Sequence, residues 1–91
     1  MSVKPPLYRR HRELLEADLG DELLALDTEG GLCFGFNEVA ATVWRLLASP
    51  QSFDQMYATL RADYEVTPEV CAADLRALLS ELEEKSLIVA E

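Results

Sequence analysis

Ninety-one residues make one domain with a modest core and exclude a two-domain enzyme. With 49% hydrophobic and 27% charged residues, the composition is close to that of an average soluble globule, so neither a disordered chain nor a membrane span is the starting expectation. Seventeen acids against eight bases give a net charge of −9, split unevenly: residues 1–12 hold Lys4, Arg9, Arg10 and Arg12 without an acid (+4), while residues 13–91 hold all 17 acids and four bases (−13).

The spacing predicts a flexible basic arm over residues 1–12, because Pro5 and Pro6 forbid an early helix and the arginine cluster offers little to bury. Residues 13–91 form the folded domain. A first strand is expected over Glu13–Asp18, with Leu14 and Leu15 side by side blurring its period. After a break at Leu19-Gly20-Asp21, Glu22–Asp27 reads as a second strand and Gly30-Gly31 as a tight turn. In Leu32-Cys33-Phe34-Gly35-Phe36 the bulky side chains alternate with small ones, the pattern of a third strand with one large apolar face.

Asn37 then caps a helix carrying Val39, Val43, Trp44 and Leu47 at helical spacing, which stops near Ser49-Pro50. Ser52 and Gln55 have capping-box spacing and open a second helix. Thr67-Pro68 opens the third and longest, Pro68–Lys85, with an apolar stripe of Cys71, Leu75, Leu78, Leu79 and Leu82. Leu87-Ile88-Val89 adds a short extended piece. Strands first and helices after predict an α+β fold: a three-stranded antiparallel sheet followed by a three-helix bundle, similar to a winged helix-turn-helix.

The chemistry on offer is thin. His11, the one histidine, lies among the arginines of the arm and reads as a solvated polar residue, so no nucleophile-base pair can be assembled and no enzyme is expected. Cys33 and Cys71 are too few for a zinc site and read as small apolar residues, with one disulfide between them left open. No phosphate-binding glycine motif occurs, so no cofactor is expected. Neither a signal peptide nor a membrane span is recognisable, which places the chain in the cytoplasm. The acids near the end of the third helix, Glu81, Glu83 and Glu84, read as a solvated face, although three like charges at a helix C-terminus oppose its dipole.

A winged helix would normally suggest DNA. Over Pro68–Lys85, however, Glu69, Asp74, Glu81, Glu83 and Glu84 face only Arg76 and Lys85, and phosphates would repel a helix of that sign. What remains is a protein or peptide partner, apolar or cationic, with neither nucleic acid nor membrane. In a meander, Leu32–Phe36 is an edge strand that carries neither Pro nor Lys to block pairing. Its edge is expected to take an extended peptide, the third helix supplying the other wall through Asp74, Ala77, Leu78 and Glu81. The alternatives are an edge covered by the N-terminal arm or by a second subunit, so monomer and dimer both stay open. Proline at Phe34 is expected to weaken pairing if that amide faces outward.

The stretch LLALDTEGGLCFGFNEVAATVWRLL, with SPQSFDQMYATLRADYEVTPE and VCAADLRALLSELEEKSLI after it, resembles the PqqD-like family, also called RiPP recognition elements, over about residues 14–89. The parts that carry the resemblance are FNEVAATVW at Asn37, Asp74-Leu75 and the closing LEEKSLI. It implies a winged-helix-like domain without DNA binding or catalysis. Such a domain binds the leader region of a ribosomally made precursor peptide and presents it to a leader protease or other modifying enzyme in a bacterial cytoplasm. By this resemblance the strand contacts fall on Leu32, Cys33, Phe34 and Gly35, and the helix contacts on Asp74, Ala77, Leu78 and Glu81. The family often has Gly where Ser86 stands, which puts the geometry of the helix end in question. Cys33 and Gly35 leave one strand face small enough for a bulky leader side chain. The missing Arg-rich strand of the quinone pathway points toward a lasso-type peptide. The competing reading is a winged-helix protein-interaction or transcription-regulatory module.

Overall fold

The computed structural model describes residues 5–91, so the part of the expected arm at residues 1–4, Lys4 included, lies outside the described residues. The described elements run β1 (Leu7–Arg10), β2 (Leu15–Leu19), β3 (Glu22–Asp27), β4 (Leu32–Phe36), α1 (Glu38–Leu46), β5 (Gln51–Ser52), α2 (Phe53–Asp63), α3 (Pro68–Glu84) and β6 (Ile88–Ala90). The class is α+β, with three helices and antiparallel pairing throughout. Among the described residues no helix is long and apolar enough to cross a membrane.

The expected meander is present as β2-β3-β4. Its first turn is set by Gly20 at φ +83, followed by Asp21 at negative φ, the signature of a two-residue type II′ connection. The first strand begins two residues later than expected. Leu14 packs against the core while Leu15 turns outward, which resolves the blurred period. On β3 the alternation is strict: Leu23, Ala25 and Asp27 are buried, Glu22, Leu24 and Leu26 exposed.

The expectation of a flexible arm through residue 12 is corrected for Leu7–Arg10. These residues form the central strand of a second sheet, β5-β1-β6, zipped by reciprocal backbone bonds between Leu7 and Glu91. The physical reason is a period-two pattern in which Tyr8 and Arg10 face inward and Leu7 and Arg9 outward. Arg10 buries its stem, lays its guanidinium 4.3 Å from the Trp44 ring centroid and donates to the Trp44 carbonyl. Arg9, Arg10 and Arg12 pair with Glu91, Glu16 and Asp27 respectively, so these bases neutralise acids of the body instead of standing apart from it.

All three helices start where their caps predict. Asn37 accepts from the Ala40 amide at 2.9 Å, Ser52 and Gln55 form the full capping box, and Thr67 accepts from Val70 ahead of Pro68. α1 buries Ala40, Ala41, Val43 and Trp44, α2 buries Met56 and Leu60, and α3 buries Cys71, Leu75, Leu79 and Leu82. These close one core with Leu23, Ala25 and Phe36 of the meander and with Leu87 and Ile88. Each large side chain removed from water there contributes about 1.5–3 kcal/mol. At the end of α3, Ser86 sits at φ +59, Leu87 donates to the Leu82 carbonyl and Ser86 to that of Glu83, which is a Schellman cap with serine in the usual glycine position. The cap turns the chain into β6.

Candidate functional site

β4 pairs with β3 on one side only, and α3 runs along its other flank. Between them lies a groove of about 540 Å³. The groove holds seven of the eight residues singled out in the sequence: Cys33, Phe34 and Gly35 from the strand, and Asp74, Ala77, Leu78 and Glu81 from the helix. The eighth, Leu32, stands at the start of β4, 56% exposed, and is not among the lining residues. The helical spacing of 74, 77, 78 and 81 puts those four side chains on one face, next to the buried stripe.

The register fixes which backbone groups the open edge offers. The two-residue turn makes Leu19 and Glu22 a hydrogen-bonded pair, so Glu22, Leu24 and Leu26 point their backbone groups at β2. Leu23, Ala25 and Asp27 therefore point at β4, in agreement with the Asp27 carbonyl accepting from Gly31 across the second turn. Their partners Phe36, Phe34 and Leu32 point back. Cys33 and Gly35 are left with N–H and C=O directed away from β3, one donor and one acceptor each for an added strand. The amide of Phe34 belongs to the internal ladder, so proline there tests the fold and not the edge.

Several lining residues were not singled out from the sequence as part of the site. Phe36 is buried beneath the groove and packs on Trp44 with ring centroids 5.5 Å apart. Val39 and Ala40 contribute from the first turn of α1, and Leu82 and Lys85 from the end of α3. The alternation of β4 could have assigned Phe36, and the i, i+4 spacing from Glu81 could have assigned Lys85. Lys85 Nζ donates to Glu81 at 2.8 Å and lies 6.0 Å from the Phe34 ring centroid. Glu81 is thereby partly neutralised, while Asp74 has no ion-pair partner among the described residues and leaves the floor apolar with one acidic flank.

The turn that holds β4 in place is organised by Asp27, the one buried charged residue described. Its carboxylate accepts from the amides of Glu29 and Gly30 and from Arg12. The hydrogen bond donated by the Gly30 amide leads in holding this carboxyl below the usual carboxylate range, against a desolvation effect that raises it, with Glu29 and Arg12 adding to the lowering. Cys33 is exposed and Cys71 buried, and both are free. Among the described residues no group of three His, Cys, Asp or Glu is placed to hold a metal ion. The geometry suits binding of an extended chain.

The family model for coenzyme PQQ synthesis protein D (PqqD) matches residues 22–88. Among solved structures, TbiB1 in complex with the TbiA(beta) leader peptide is 26% identical, with a TM-score of 0.78 over 88% of this chain and 93% of its own. A lasso peptide synthetase B1 complexed with the leader peptide is 28% identical, with a TM-score of 0.73 over 90% of this chain and 96% of its own. No curated protein matches the chain.

Proposed function

The chain belongs to the PqqD family, and from that premise we propose that it binds the leader region of a ribosomally synthesised precursor peptide as a strand added to β4, and presents it to a leader protease or other modifying enzyme of lasso peptide biosynthesis. The observation that carries this reading is the groove itself: an open edge with outward donors and acceptors at Cys33 and Gly35, faced by the Asp74, Ala77, Leu78 and Glu81 side of α3. Two similar chains of nearly the same length were solved with leader peptides bound, which supports the same use of this fold here.

The role is that of an adaptor without catalysis in a bacterial cytoplasm. Main-chain pairing supplies affinity, and the apolar floor of Phe34, Phe36 and Leu78 selects the side chains that alternate into it. Asp74 and Glu81 favour a leader with basic residues at the groove's flank. The order of meander and helices is winged-helix-like, but the acids of α3 argue against a regulator that reads DNA. A gel-shift titration at low salt is expected to show no complex.

The decisive measurement is fluorescence polarisation with a labelled leader peptide of a lasso peptide precursor. Cys33→Pro removes an outward N–H and no internal ladder bond, so it is expected to weaken leader binding by about 10-fold or more while the protein stays folded. Unchanged affinity would remove the leader from this edge.

A further inference from the structure

The β2-β3-β4 sheet has a second face, turned away from the core. The register sets Leu15 opposite Leu26, Ala17 opposite Leu24 and Leu26 opposite Cys33, so these residues and Leu19 share that face. Leu15 and Leu19 are 62% and 58% exposed, Leu24 and Leu26 each 40%. A sheet face open to water normally carries polar side chains at its outward positions. Here four of them are leucines, and a contiguous apolar patch of that kind marks an interaction surface.

Charge decides between a second copy and a different protein. Residues 13–44 contain eight acids and no base. Arg10, Arg12 and Arg45 pair with Glu16, Asp27 and Asp18, but Glu22 on the face itself, and Asp21 and Glu29 in the turns at its two ends, have no ion-pair partner among the described residues. A two-fold dimer through this face would bring like acidic surfaces together. A partner with an apolar centre and a Lys/Arg rim fits instead. The patch is also continuous with the groove, because Cys33 and Gly35 lie on this face and offer their backbone groups to the open edge. A strand added to β4 widens the face by one strand, so whatever sits on it touches the sheet and the bound peptide together.

We propose that the outer face formed by Leu15, Leu19, Leu24 and Leu26 is the docking surface for the peptide-processing enzyme, which presents an apolar patch ringed by basic residues. The identity of the partner rests on the leader-binding reading; the existence of the surface does not. The test uses the full chain and a purified leader protease of lasso peptide biosynthesis, with binding measured by biolayer interferometry in the absence of peptide. Leu24→Glu/Leu26→Glu places two carboxylates on the face and is expected to weaken protease binding by about 10-fold or more. Leader affinity is expected to stay within about 2-fold, because neither side chain lines the groove. Leu24→Thr/Leu26→Thr, which places uncharged side chains of high strand propensity on the face, is expected to reproduce the loss and guards against misfolding of the charged variant. Protease binding unchanged in both variants overturns the proposal, as does a wild-type dimer that the variants convert to monomer. A wild-type chain that fails to bind leader, yet loses protease on substitution of the face, overturns the reading of the groove and supports this one.

Discussion

The two sheets of this small domain are built in opposite ways. β2-β3-β4 comes from 22 consecutive residues joined by two tight turns, with long pairings and a free edge. β5-β1-β6 gathers three short strands from the start, middle and end of the chain, and its pairings tie those distant segments together. The local sheet can leave an edge and a face uncovered because its hairpins already hold it in shape. The non-local sheet has the task of closing the fold.

The difference can be broken most severely at Phe34. Phe34→Pro removes a bond to Ala25 together with a partly buried ring, and is expected to cost about 4 kcal/mol, enough to unfold many domains of this size. Urea denaturation measures it. Cys33→Pro, one residue away, is the matched control, with stability expected within about 1 kcal/mol of the parent. Equal losses in the two variants would show that the alternation of β4 runs the other way.

Arg10 joins the two sheets, reaching from β1 to Glu16 of β2 and stacking on Trp44 of α1. Arg10→Ala should lower stability by about 2 kcal/mol, since it removes a stacked, partly buried stem and its bond to the Trp44 carbonyl. Amide hydrogen exchange should locate the loosening in β1 and β6 before the meander.

Asp27 supplies a pH test confined to the local sheet. Its folded pKa is lowered, so the stability it contributes is present above the unfolded carboxylate value and is lost as pH falls through the folded value. The urea midpoint should therefore decline below the ordinary carboxylate range, and Asp27→Asn should flatten that part of the profile. An unchanged acid slope in the variant would assign the decline to other carboxylates.

The smallest effect is expected at Ser86, where the chain leaves α3 for the non-local sheet. With Ser86 at φ +59, Ser86→Gly relieves left-handed strain and should raise stability by about 0.5–1 kcal/mol, read as a rise in thermal midpoint.

What the sequence made legible follows the same division. The meander, the capping residues Asn37, Ser52 and Thr67, and seven groove residues all depend on short-range periodicity or on a neighbour three or four positions away. Leu7–Arg10 was hidden because a strand whose inward positions are Tyr and Arg, and whose partners lie some 40 and 80 residues away, has no local hydrophobic signature. The backbone direction of Phe34 required the register of both hairpins. The outer leucines of β2 and β3 could be read as apolar, but their exposure depends on no helix crossing that face, which is a tertiary fact.

Trp44 is the only tryptophan in the chain. It is fully buried, touches Phe36 under the groove on one side and carries the Arg10 guanidinium on another. The protein therefore contains its own optical gauge at the junction of site and scaffold. A guest in the groove reaches the indole through Phe36, and release of β1 reaches it through Arg10. Its emission can follow either event in unlabelled protein, with Phe36→Leu and Arg10→Ala separating the two channels.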